Sequence, residues 1–145
     1  MILENSLEKI SLKDVGIFEG KVRLVFPDDY KNFLTKYNGG TPTLANFNFY
    51  GKEEGSTIRR FFGIMIGSKN SIDWILDVYE GRLPKDFLPI ADDLGGNLIL
   101  LDCSLEQKGV FFWDHEEEAE NGEEPTMDNM YYLSKNFDSF LGSLK

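Results

Sequence analysis

The chain's single histidine, His115, stands between Asp114 and Glu116, and Glu117 and Glu118 follow directly. Imidazole beside carboxylate is the material of general acid–base catalysis and of metal binding. Neither chemistry is completed here. The cluster brings no partnered nucleophile with it. Asp114, Glu116 and Glu118 alternate as calcium-loop ligands do, but that loop needs glycine at its sixth position. Ala119 stands there, and Gly122 comes three residues late. Zinc usually takes several His or Cys side chains, and this chain offers only His115 and Cys103. Asp92 and Asp93 are adjacent, and neighbouring side chains on a strand point to opposite faces, so the two carboxyls need not converge. Ahead of Gly95-Gly96 they read as turn residues that bond their own backbone. Cys103 closes an apolar run and reads as a small buried side chain. Gly39-Gly40 and Gly95-Gly96 match neither phosphate-binding glycine pattern. The expectation is therefore no enzyme, no catalytic residue, no metal and no cofactor.

What these residues can do is carry charge. The net charge is −10, from 25 acidic and 15 basic residues. No Lys or Arg occurs between Lys108 and Lys135. That stretch holds Asp114, Glu116, Glu117, Glu118, Glu120, Glu123, Glu124 and Asp128. Without those eight, 17 acidic residues face 15 basic ones, so most of the imbalance is local. Direct nucleic-acid binding is disfavoured, because it needs clustered Lys and Arg against phosphate. Two readings of the acidic segment stand side by side. It is a recognition surface for a basic protein patch, or it is a solvated loop that serves solubility. Trp74, Trp113, Tyr131 and Tyr132 are candidate anchors, since binding energy concentrates on Trp, Tyr and Arg, although each reads first as core.

The 145 residues suit one domain over 1–145, and 41% hydrophobic with 14% aromatic residues supplies a core. The start, Met1-Ile2-Leu3-Glu4-Asn5, lacks the basic and apolar regions of a secretory signal. No run approaches the roughly 20 apolar residues of a membrane helix. With one cysteine as well, a cytoplasmic location and no membrane partner are expected.

The elements that must hold the acidic segment are read from periodicity. Leu3, Leu7 and Ile10 are spaced for a short amphipathic helix near 3–12. Within 17–26, Val22, Leu24 and Phe26 alternate with Arg23 and Val25, which suits a strand or extended segment. The spacing predicts a helix from Pro27 to Tyr37. Pro27 fits its first position, Asp28 and Asp29 its first turn, and Tyr30, Phe33, Leu34 and Tyr37 its apolar stripe. Asn38-Gly39-Gly40 then ends it in left-handed backbone. Residues 46–50 (NFNFY) read as a strand, and Ser68 or Ser71 caps a helix to about Tyr79. Pro84 to Ile90 reads as an approach to a turn at 92–96. Residues 97–103 (NLILLDC) read as a strand buried on both faces, and 110–113 as its hairpin partner. Ser134 is the expected cap of a final helix with Phe137, Phe140, Leu141 and Leu144 inward. Strands flanked by helices predict an α+β fold with a central, mostly antiparallel sheet.

Four stretches together are familiar: FPDDYKNFLTKYNGGTP (26–42), FNFYG (47–51), LPKDFLPIADDLGGNLILLD (83–102) and GVFFWDHEEE (109–118), with FDSFLGSL (137–144) after them. In this order they resemble the SUKH superfamily, whose founding members regulate cell-wall assembly. The family usually has one glycine before the asparagine, as in D-x-x-G-N; here Gly95-Gly96-Asn97 has two, which still fits the pattern from Asp93. The resemblance implies the same α+β fold. For most bacterial members it implies an immunity protein that binds and neutralises a cognate contact-delivered toxin, often a nuclease, by stoichiometric protein–protein contact. For other members it implies a regulatory interaction module linked to cell-wall or envelope assembly. Among the motif residues, Pro27, Tyr30, Asn38, Gly39, Gly40, Pro89, Asp92, Asp93, Gly96, Asn97, Trp113 and His115 read as structural. Asp114, Glu116, Glu117, Glu118, Glu120, Glu123 and Glu124 are the candidate partner-binding set.

Overall fold

The five residues Leu98–Asp102 are buried at every position, as a strand must be when both its faces and both its edges are covered. The computed structural model describes residues 2–145, and Met1 lies outside the described residues. In chain order the strands are β1 (Leu3–Glu4), β2 (Thr41–Pro42), β3 (Asn46–Asn48), β4 (Gly55–Phe61), β5 (Phe87–Asp93), β6 (Leu98–Asp102), β7 (Val110–Trp113) and β8 (Met130–Ser134). The helices are α1 (Leu12–Val22), α2 (Asp28–Lys36), α3 (Ile72–Val78) and α4 (Phe137–Ser143). Strands β3 to β8 form one six-stranded sheet in sequence order, with every neighbouring pair antiparallel. β1 and β2 form a separate two-stranded ribbon.

Register shifts interrupt the ladders at Ile58/Arg60, Pro89/Ala91 and Val110/Phe111. Each adds local twist and bend. The sheet curls until its first and last strands approach each other, giving a nearly barrel-like shape. Phe49, just after β3, lies 5.0 Å from Phe112 on β7, and Tyr50 lies 5.1 Å from Tyr132 on β8, ring to ring. Helices pack on the sheet through rings as well. Phe33 of α2 meets Phe61 of β4 at 5.2 Å and Phe137 of α4 at 4.9 Å. The fold is α+β with a mostly antiparallel sheet flanked by helices, as the sequence predicts.

Several elements differ from the sequence reading. Residues 3–12 are not a helix. Leu3 and Glu4 pair with Pro42 and Thr41, and Asn5 at φ 56° turns the chain away. The helix begins later, where Ser11 and Asp14 form a capping box: Ser11 Oγ accepts from the Asp14 amide (3.1 Å) and Asp14 Oδ2 from the Ser11 amide (2.9 Å). Residues up to Val22 are therefore helical, not a strand, despite Gly16 and Gly20. Pro27 sits one residue earlier than expected, as the residue preceding α2, and α2 ends at Lys36, before Asn38 (φ 52°), Gly39 (φ 79°) and Gly40 (φ 126°). The approach 84–90 is mostly strand β5. Pro89 stands at a register shift, one of the places where a sheet tolerates proline. Strands β2, β4 and β8 carry no local signal that predicts them. Ser134 ends β8, and Asn136 caps α4, its Oδ1 accepting from the Ser139 amide at 2.8 Å.

Candidate partner-binding surface

The acidic segment leaves the sheet at the end of β7, where Val110 to Trp113 are all buried. Asp114 starts a short 3-10 turn over His115–Glu117, its Oδ1 accepting from the Glu116 amide at 2.9 Å. The segment returns at Asn129. The Asp114 amide donates to the Asn129 carbonyl (3.0 Å), and Asn129 Nδ2 donates to the Asp114 carbonyl (2.9 Å). Both ends of the loop are thus tied to one another, and Asn129 is buried to do it.

Two further clasps hold the loop against the body. Arg82 donates to Glu118 through Nε (3.1 Å) and Nη2 (2.8 Å). Its guanidinium stands 4.5 Å from the Tyr79 ring centre and 5.8 Å from that of Trp113. The hydrogen bond to Glu118 holds the Arg82 pKa above its ordinary value. Tyr131 donates its hydroxyl to Glu117 (3.0 Å), which raises the phenol pKa. Glu116, Glu120, Glu123, Glu124 and Asp128 are exposed and carry no ion pair among the described residues. An open groove of about 860 Å³ runs between this segment and the turn after α3, with Arg82 and Lys85 on one wall and Glu118, Glu120, Glu123 and Glu124 on the other. The seven proposed partner-binding carboxylates therefore divide. Asp114, Glu117 and Glu118 fasten the loop, and Glu116, Glu120, Glu123 and Glu124 stand free.

A partly buried polar chain sets where the loop departs. Asp93 Oδ1 accepts from the Gly95 and Asn97 amides (2.9 and 2.8 Å), and Oδ2 from Ser56 Oγ (2.7 Å) and Asn97 Nδ2 (3.1 Å). Asn97 Oδ1 then accepts from the His115 amide (3.1 Å) and lies 2.6 Å from His115 Nδ1. Because Asn97 Nδ2 is committed to Asp93, its oxygen faces the imidazole, and Nδ1 carries the proton. Asp92 bonds Arg59 instead, and burial raises its carboxyl pKa. The two aspartates serve different partners and form no acid–base pair. Burial pushes the Cys103 thiol up to about 12, so it is no nucleophile at neutral pH. Among the described residues no three His, Cys, Asp or Glu side chains converge as a metal-ligand set, and no helix is long and apolar enough to cross a membrane.

The remaining motif residues lie elsewhere. Tyr30 is buried between Phe26 and Phe137, and Asn38 is buried with Oδ1 accepting from the Ile64 amide at 2.8 Å. Of the four candidate anchors only Trp113 is fully buried. Trp74 is 43% exposed and Tyr131 38% exposed, which corrects their reading as core. Tyr132 is half-buried. Sequence reasoning missed Arg82 and Asn129, because a lone Arg after a helix and a lone Asn before a strand carry no periodic signal.

A model of the SMI1 / KNR4 family (SUKH-1) matches residues 9–143. Among curated proteins, the chain is 28% identical to an SPbeta prophage-derived uncharacterized protein, YokK, of Bacillus subtilis (strain 168). The match covers 81% of this chain and 66% of that relative, so the chain spans just under two thirds of the relative's length. No solved structure matches significantly.

Proposed function

The chain belongs to the SMI1 / KNR4 family (SUKH-1), and from that premise we propose that it is an immunity protein. It binds a cognate toxin, a nuclease with a basic surface, one to one, and catalyses nothing. The observation that carries this reading is the fastened acidic segment. Residues 114–128 hold eight carboxylates and no Lys or Arg, and the loop is clasped to the body by Arg82, Tyr131 and Asn129. A loop kept only for solubility needs no such clasps. A fixed field of one sign speeds capture of a basic partner by roughly 10- to 1000-fold, which suits an inhibitor that must act before damage accumulates.

The test uses the product of the neighbouring gene. Co-expression with this chain should rescue cells from it, and the two should co-purify. Changing Glu116, Glu120, Glu123 and Glu124 together to Lys should slow association at least tenfold at low salt and flatten its salt dependence. Unchanged kinetics at low salt would remove the acidic segment from recognition. A neighbour that is harmless when expressed alone, with envelope defects on deleting this chain, would point instead to a regulatory interaction module.

A further inference from the structure

The first and last strands of the sheet approach without pairing, and rings line the space between them. The cleft measures about 510 Å³. Phe49, Tyr50, Phe112, Tyr131 and Tyr132 line it. Phe49 meets Phe112 (5.0 Å) and Tyr50 meets Tyr132 (5.1 Å) edge to face, so the rings touch across the seam and offer a guest their exposed faces, not a gap between them. Tyr50 is 70% exposed and Tyr131 38% exposed, a large aromatic area to leave in water. The rim is charged. Asp114 lines the cleft, Glu117 accepts the Tyr131 hydroxyl, and Lys52 stands on the same rim.

Ring faces carry negative quadrupole potential and carboxylates carry full negative charge, so the two together favour a cation. An anion would meet Asp114, Glu117 and the exposed carboxylates beyond them. The molecule already contains one assembly of this kind. Its own Arg82 lies over Tyr79 while bonded to Glu118, a guanidinium on a ring beside a carboxylate. The aromatic cleft has the ring and carboxylate parts of that assembly without the arginine.

We propose that this cleft receives an arginine side chain from a basic segment of the protein partner. The inference rests on the partner-binding reading above and deepens it. The acidic segment attracts the partner, and the aromatic seam anchors it. Arginine fits better than lysine because a planar guanidinium stacks on rings while its N–H groups reach the rim carboxylates.

The test uses the full chain and two synthetic peptides, one of alternating arginine and glycine and one with lysine for each arginine. Calorimetry reads affinity, and two-dimensional NMR reads the rings. The arginine peptide should shift the Tyr50, Tyr131 and Tyr132 resonances and bind more tightly than its lysine counterpart. Tyr50→Ala and Tyr131→Ala should each weaken it roughly 3- to 30-fold without changing the salt slope. Tyr131→Phe should bind as the parent does, because the ring remains, and Lys52→Glu should bind more tightly. Tyr50 is exposed, so its variant stays informative if Tyr131→Ala fails to fold. Equal binding of the two peptides, or unchanged affinity in the Tyr50 variant, overturns the proposal. If the four-fold Glu-to-Lys variant nevertheless weakens binding at low salt and flattens its salt dependence, the acidic-surface reading stands alone. If that variant also binds normally, both fall.

Discussion

Asn97 and His115 are 18 residues apart in the chain, yet Asn97 Oδ1 bonds both the backbone amide and Nδ1 of His115, at 3.1 and 2.6 Å. Asn97 is itself held by Asp93, so one buried carboxylate sets the turn between β5 and β6 and, through it, the exit of the acidic segment. Asp93→Ala leaves four donors without their acceptor and should cost about 3 kcal/mol. Urea unfolding checks the figure. Asn97→Ala should cost less globally and yet speed amide exchange at His115 and Glu116.

The clasp between Arg82 and Glu118 is half-exposed, with side-chain exposures of 41% and 24%. Arg82→Gln should therefore change global stability by less than about 1 kcal/mol. Its effect is local. Amide exchange across 116–124 should rise while that of β6 and β7 stays constant.

Tyr30 is fully buried, and its hydroxyl finds no hydrogen-bond partner among the described residues. An unmade buried bond costs more than the hydroxyl returns. Tyr30→Phe keeps the ring contacts with Phe26 and Phe137 and should stabilise the protein by about 1 kcal/mol, read as a higher urea midpoint.

Alkaline pH acts on Cys103. Burial raises its thiol from an ordinary 9.0 to about 12. A folded pKa above the unfolded one means that the group's stabilising contribution is complete below pH 9 and is lost as pH rises towards 12. Tyr30, raised by the same burial, acts in the same direction from about pH 10. Unfolding midpoints measured between neutral and strongly alkaline pH should fall. Cys103→Ala should flatten part of that fall, and the native thiol should resist alkylation at neutral pH.

Gly39 has φ 79°, and a Cβ there would lie 2.8 Å from the Phe61 carbonyl oxygen. Gly51 has φ 71° with nothing within 4 Å. Gly51→Ala should cost about 1 kcal/mol of backbone strain alone. Gly39→Ala should cost clearly more, because the backbone of β4 must also move. Thermal unfolding of the pair separates the two terms.

Local pattern was enough for α2, β6, β7 and α4. Each carries its own signal within a few residues: a 3.6-residue apolar stripe, or an apolar run bounded by turn residues. The concentration of negative charge between Lys108 and Lys135 is likewise a property of the chain. The other elements depend on partners distant in sequence. β4 carries Arg59 and Arg60 and lacks a clean alternation, and β5 contains Pro89. Both become strands because a neighbouring ladder accepts them at register shifts. The fastening of the acidic segment is also tertiary. Arg82 reaches Glu118 over 36 residues, and Asn129 reaches Asp114 over 15. Such bonds exist only after the curled sheet has brought their elements together, because no short-range periodicity encodes a contact whose two halves lie in separate elements.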